Sequence, residues 1–581
     1  MKLSWRNTWK IVFLSGLTMV ALAAVNYISF YPVYVTADEP EVFGAPFLAS
    51  SGQSVALVVD TAEIRQAGSS GRFSQTDWSF GWMNLLLQES RRYDIVDMSE
   101  LQAQEKPGAH RIWIFTRSAM RGHFAGKLSA ILDTISQWGS QSGGDNRAIG
   151  TEEPVIYLEA PDTLSAASET VSSLLGNKVT PRTFTRLTRI QRASHFGMPT
   201  VSEFKLSCDG IVSTVAPPQS QVLLEFDSSA VLYETHRNSL RVLLATFDFG
   251  QLAVTIQQGR PNEDFSVRPH ITKRTGLQPL VSSDLCADSS YYKTFTPFFD
   301  LFEHALFSLI SGADSVRPLF PESSHGAFVM SHDEEGMGDK ASWMAEQEQR
   351  WGVTSATLVT PAAITSRGLK TIVSSGGEVG LHVDQYSFFK HPGLPGLRPL
   401  RVENSIAEQK RILEGRLWDS SRTFTDITIN RNHWLLWSQN YIGMFRKLAA
   451  AGIRLDLTYG PIGKDVAGYL FGTCFPFVPL DTNGFPLPIL ELPFLFQEDE
   501  DFAAGYLDSI FDTSAFHQEI VNVVFHTNTM GHSPDTLLMW GWRESFIRAK
   551  NAKLPIVQYN DILEALRTQR VTLPPGLPGA D

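Results

Sequence analysis

Gly326-Ala327-Phe328-Val329-Met330-Ser331-His332-Asp333-Glu334-Glu335 is the stretch that decides the fold. Its first half is small and apolar and reads as a buried strand, and that strand ends in a His and three acids. Similar contexts recur downstream. They are Gly376-Gly377-Glu378-Val379-Gly380-Leu381-His382-Val383-Asp384, Ile429-Asn430-Arg431-Asn432-His433-Trp434 and Val523-Val524-Phe525-His526-Thr527-Asn528. A (β/α) barrel builds a site this way, with each strand delivering a polar group to one face. Carboxylates with imidazoles are also the donor and acid/base set of a hydrolytic divalent-metal centre.

At 581 residues the chain is too long for one core, and two or three domains are expected. A hydrophobic fraction of 43% against 19% charged residues reads as globular. The net charge of −12, with no basic run to offset it, argues against a nucleic-acid partner. At the N-terminus, Lys2, Arg6 and Lys10 precede an apolar run from Ile11 to Phe30. That run is long enough to span a bilayer, and positive charge before it predicts an exported body. Ala21-Leu22-Ala23 offers a cleavage site, but apolar character continues past it, which favours a retained signal anchor over 1–35. The expected location is membrane-anchored, with the body on the periplasmic or extracellular side. Three cysteines with no Cys-x-x-Cys pattern argue against a structural zinc cluster. Cys208 and Cys286 can pair in an oxidising compartment.

Residues 45–315 read as a separate unit. Strands over 54–60, 93–97, 111–115 and 154–158 alternate with helices over 81–92, 126–138 and 163–175, as in a doubly wound parallel sheet. The pattern turns strand-rich from 200 to 260, a Phe- and Leu-rich helix follows over 293–309, and 311–325 reads as a linker. The unit weakly resembles class I glutamine-amidotransferase-like or flavodoxin-like modules. Cys208 lacks the strand-to-helix setting of a nucleophile and no Gly-x-Gly-x-x-Gly is present, so this accessory domain is read as non-catalytic.

Residues 320–570 resemble the polysaccharide deacetylase (NodB-homology, carbohydrate esterase 4) superfamily, in a divergent bacterial branch. The motifs are Ser331-His332-Asp333-Glu334-Glu335, His382, Arg431-Asn432-His433-Trp434, Asp456-Leu457-Thr458-Tyr459-Gly460, Gly472-Thr473-Cys474-Phe475-Pro476 and Val524-Phe525-His526. The resemblance implies a distorted (β/α) barrel, so the fold class is α/β with an N-terminal anchor, an α/β accessory domain and this barrel. It also implies Asp333 as base, Arg431 as its orienting partner and His526 as acid. Glu335 and His382 would hold a divalent metal, with zinc the expected ion. Glu334 is the fallback ligand. Where the family places a second His, four residues after the first, this chain has Tyr386. A replacement ligand is offered by His433, Asp384 or His391, and the sequence does not choose among them. The acidic run Glu498–Asp501 reads as a solvated loop, with a cation site as the lesser alternative.

Two functions follow as expectations. One is a metal-dependent hydrolase removing N-acetyl groups from a surface or extracellular polysaccharide. The other is an inactive barrel that binds polysaccharide or scaffolds exopolysaccharide assembly proteins, motivated by Tyr386 and the large accessory domain. Fold alone cannot separate them.

Overall fold

Period-two alternation builds the first sheet. Val55, Leu57 and Val59, with Ile112, Ile114, Val155, Tyr157 and Leu243, face helices Trp82–Gln88 and Phe298–Ser311. Their neighbours Ala56, Val58, Trp113, Phe115, Ile156, Leu158 and Leu244 face helices Met98–Ala103 and Leu128–Gln141. Strands buried on both faces are what covering helices require of a parallel sheet. In this computed structural model the description runs between residues 55 and 567. Residues 1–54, 142–153, 160–181, 193–202, 260–279, 312–325, 390–399 and 568–581, with shorter pieces between elements, lie outside it.

The parallel part runs in the order Tyr93–Asp97, Val55–Val59, Ile112–Phe115, Val155–Glu159, Leu240–Ala245. Numbered along the chain that is 2-1-3-4-5, a doubly wound order. Strands Ser229–Arg237, Gln221–Phe226, Ile190–Arg192 and Glu203–Phe204 then extend the sheet in antiparallel fashion. The expected helix over 163–175 and the anchor over 1–35 fall outside the described residues, as does the linker expected over 311–325 except for Ser311, which ends helix Phe298–Ser311. No helix among the described residues is long and apolar enough to cross a membrane. Cys286 is buried and its thiol donates to the Leu470 carbonyl, while Cys208 lies outside the described residues.

The second sheet has eight strands, every pair parallel. Its order is Leu490–Glu491, Leu455–Asp456, Ile429–Asn432, Glu378–Val383, Ala356–Val359, Ala327–Glu334, Ile520–His526, Phe496–Gln497. The two edge strands are separated in sequence only by residues 492–495, a reach of at most about 14 Å. The sheet must therefore curl until its edges nearly meet. Residues 492–495 bridge the opening, with Leu492 N–H donating to the Asp456 carbonyl and Leu495 N–H to that of Asn522. Because the strands are parallel, their carboxyl ends, at Glu334, Val383, Asn432 and His526, gather at one mouth.

The two sheets share one contiguous apolar core. Leu280–Val281 pairs antiparallel with Leu436–Trp437 across the seam. Asn84 and Gln258, from the first unit, accept hydrogen bonds from Val478 N–H and Leu480 N–H of the barrel.

The seam also buries acids. Asp300 and Glu303, on helix Phe298–Ser311, lie near Glu519, which opens the Ile520–His526 strand. Burial pushes Asp300 up to about 7, and Glu303 and Glu519 well above the carboxylate range. Both oxygens of Asp300 and Oε1 of Glu303 are buried without a hydrogen-bond partner. The folded protein thus holds protons that the unfolded chain releases once the pH exceeds ordinary carboxylate values. Stability therefore falls as pH rises from there through about 7, where Asp300 titrates. Glu303→Gln keeps the shape without the ionisation. Its melting temperature should fall less than that of wild type between pH 5 and pH 8, and parallel pH profiles would refute the assignment.

Candidate metal centre and active site

Alternation divides the acidic strand by face. Ser331 and Asp333 point to one side, His332 and Glu334 to the other. On the first side Arg431, fully buried, donates from Nη1 to Asp333 Oδ1 (2.7 Å), from Nη2 to Ser331 Oγ (2.9 Å) and from Nε to the Leu457 carbonyl (2.9 Å). Its guanidinium also lies 5.1 Å from the Phe494 ring centre. Burial opposes charge on Asp333, but Arg431, His382 and His526 outweigh it and hold the carboxyl below its ordinary range.

On the second side, His332 Nε2 lies 2.8 Å from Glu348 Oε1 and its Nδ1 lies 3.0 Å from the Phe525 carbonyl. Trp542 Nε1 donates to the same Glu348 oxygen. Glu334 accepts from Gly336 N–H on Oε1 and from Thr527 Oγ1 on Oε2. The fallback ligand therefore faces away from the metal group, because the strand period sends residue 334 opposite to 333.

Glu335, His382 and His433 come together. Their donor atoms all lie within 4.8 Å of one another. Glu335 Oε1 is 3.3 Å from His433 Nε2 and 3.7 Å from His382 Nε2. Ligand atoms bound tetrahedrally at roughly 2.0–2.2 Å from one ion sit roughly 3.3–3.6 Å apart, so these spacings need little change to close on a metal. His382 Nδ1 lies 3.1 Å from the Arg431 carbonyl, which leaves Nε2 as the outward nitrogen. That Nε2 is buried and has no hydrogen-bond partner. A buried orphan nitrogen beside a carboxylate is what a missing cation leaves behind. Burial opposes the Glu335 charge, yet the neighbouring imidazoles of His382, His433 and His526 take its carboxyl well below the ordinary range. Burial disfavours the charged form of His433, but Asp384 and Glu335 win and carry it to about 9.

Of the three replacement ligands left open by the sequence, the structure brings in His433. Asp384 stands behind it, with Oδ1 3.6 Å from His433 Nδ1, and so supports the ring instead of joining the group. His391 lies outside the described residues, as does the side chain of Tyr386.

His526 faces the group from the last strand. Its Nε2 is 3.7 Å from Asp333 Oδ2 and 3.9 Å from Glu335 Oε1. Its Nδ1 lies 2.9 Å from Glu498 Oε1, which also accepts the His526 backbone N–H and the Thr529 hydroxyl. Burial disfavours the imidazolium, but Glu498, Asp333 and Glu335 overcome this and raise His526 to about 9. Sequence reasoning missed Glu498, taking it for part of a solvated loop. It is buried. The signal available was the short apolar run Leu492–Phe496 ahead of it, since Phe496–Gln497 pairs with Val523–Val524 and so sets Glu498 beside His526.

Beneath the mouth, Asp456 accepts from Asn430 Nδ2 (2.7 Å) and the Thr458 hydroxyl (2.9 Å). Glu491 accepts the Tyr459 N–H at 2.7 Å. Burial raises Asp456 to about 6 and Glu491 well above its ordinary value. The Asp-x-Thr-x-Gly segment thus ties strand ends together. Trp434 and Leu435 hold left-handed backbone, with φ of 58° and 50°. Such residues cost about 1–3 kcal/mol each and gather at functional sites.

No protein-family model and no curated sequence matches the chain. Solved carbohydrate esterase 4 (CE4) structures are similar to 41–44% of it. A candidate polysaccharide deacetylase from Mycobacterium smegmatis is 13% identical with a TM-score of 0.29, over 44% of this chain and 94% of that one. A family 4 acetyl xylan esterase from Clostridium thermocellum, solved with cobalt, is 9% identical with a TM-score of 0.24, over 42% and 97%. A CE4 family pseudoenzyme from Bacillus anthracis is 10% identical with a TM-score of 0.22, over 41% and 66%. Values this low carry no functional argument, and the reading below rests on the side chains.

Proposed function

We propose that this chain is an exported, metal-dependent hydrolase that removes N-acetyl groups from a surface or extracellular polysaccharide. The observation that supports it is the orphan Nε2 of His382, buried beside Glu335 and His433 and next to an ionised Asp333. Glu335, His382 and His433 would hold a divalent ion, whose Lewis acidity would make an amide carbonyl more electrophilic and a water more acidic. Asp333 accepts the proton of the attacking water. Arg431 keeps that carboxylate charged and aimed. His526, protonated and steadied by Glu498, gives a proton to the departing amine nitrogen. One carboxylate with two imidazoles suits zinc, and the apolar run Ile11–Phe30 supports export with a retained anchor.

The test compares residues 36–581 of wild type with His382→Ala, measuring bound metal and acetate released from N-acetylated glycans. Near one equivalent of metal in wild type, lost in the variant together with acetate release, is the expected result. No metal and no acetate with zinc, cobalt, nickel or manganese would favour a barrel that binds polysaccharide without cleaving it.

A further inference from the structure

We infer that Trp434 is a sugar-stacking platform at the lip of this site, holding a pyranose ring of the polymer so that its acetamide reaches the metal group. The inference rests on the deacetylase reading for the identity of the ligand, and on separate observations for the surface. Trp434 is 66% exposed, although it directly follows His433. Its neighbours are buried: Leu435 packs on Phe494 and Val524, and Trp437 donates its indole N–H to Ser282. A chain burying Leu435 and Trp437 in this way has no packing reason to hold a large aromatic in solvent between His433 and Leu435.

The backbone explains how it is held there. Two consecutive non-glycine residues adopt left-handed φ. They are locked from both sides. Upstream, Asn432 donates its amide to the Leu436 carbonyl at 3.0 Å, closing the turn on itself. Downstream, Leu436–Trp437 is pinned by pairing with Leu280–Val281 of the first unit. The turn therefore sets the direction in which Trp434 leaves the backbone, and the side chain stays largely exposed. His433 meets the ring edge-on at 5.9 Å and 68°, so the indole stands beside a member of the metal group. An aromatic face is electron-rich, and the axial C–H bonds of a pyranose present weak positive charge to it. The indole is apolar and flat, which suits a sugar face and gives no purchase to a small charged substrate. The accessory unit acquires a role too: its Leu280–Val281 strand holds the turn that aims the platform.

The test measures binding of N-acetylated glucosamine and galactosamine oligomers to the metal-loaded protein by calorimetry, together with hydrolysis of the same oligomers and of 4-nitrophenyl acetate, which carries no sugar. Trp434→Ala should weaken oligomer binding about tenfold or more, with Trp434→Phe between it and wild type, because the smaller ring keeps part of the stacking face. KM for the oligomers should rise while kcat and the sugarless ester change little. Trp434→Gly should lose binding equally and melt at or above wild type, since glycine accepts the left-handed backbone without strain. Unchanged oligomer binding in Trp434→Ala would overturn the inference. So would equal losses on both substrates, a Trp434→Gly protein that melts lower and sheds metal, or a wild type that binds no oligomer. Binding that depends on Trp434 in a protein releasing no acetate would uphold the platform and defeat only the hydrolytic reading.

Discussion

Asp333→Asn should lower acetate release by about 10²–10⁴-fold, the range that a positioned general base contributes, while bound metal stays at the wild-type level. The two readouts separate because Asp333 stands outside the ligand group formed by Glu335, His382 and His433. Asn preserves the volume and one oxygen for Arg431 but cannot take a proton from water. Arg431 also keeps its bonds to Ser331 and to the Leu457 carbonyl, which limits the structural damage. A melting curve run beside the assay checks that the fold survives. Loss of metal together with activity would count against Asp333 as the base.

Arg431→Leu should be the most destabilising single change in the barrel. Asp333 is 2% exposed, and its tightest partner is this guanidinium at 2.7 Å. Removing one member of a buried ion pair costs about 3–5 kcal/mol, because the other charge is left without compensation. The sign with pH follows from the lowered carboxyl of Asp333. Its contribution to stability is present above the ordinary carboxylate value and fades as pH falls through the lower folded value. Denaturant melts should show the Arg431→Leu deficit at pH 7 shrinking toward acid. The double variant Asp333→Asn with Arg431→Leu should be more stable than the sum of the single losses, because no charge is then stranded. Strict additivity would show that the two side chains do not act as a pair.

Much of the fold was legible in the chain. Val55–Val59 and Ile112–Phe115 are short apolar runs bounded by polar residues, and such runs suit strands covered on both faces. The apolar run ahead of Ser331 likewise marked the strand that carries Asp333. The candidate residues that could be read were those at strand ends, as with Asp333, His382, Arg431 and His526, and the parallel sheet carries all four toward one mouth.

What remained illegible depends on partners distant in sequence. Glu498 looks like the start of an acidic loop, and only the pairing of Phe496–Gln497 with Val523–Val524 sets it under His526. Glu334 and Glu335 have the same chemistry and adjacent numbers, and the direction of each side chain at the strand mouth separates them. His433, Asp384 and His391 were equal on paper. Three-dimensional closure of the barrel brings His433 Nε2 to Glu335 and places Asp384 behind it. The sequence by itself determined the strands, their alternating faces and the types of side chain at their ends, because these follow from local periodicity. The tertiary structure alone decided which of those side chains share one space, because convergence at a barrel mouth depends on strand order and curvature, which no local pattern encodes.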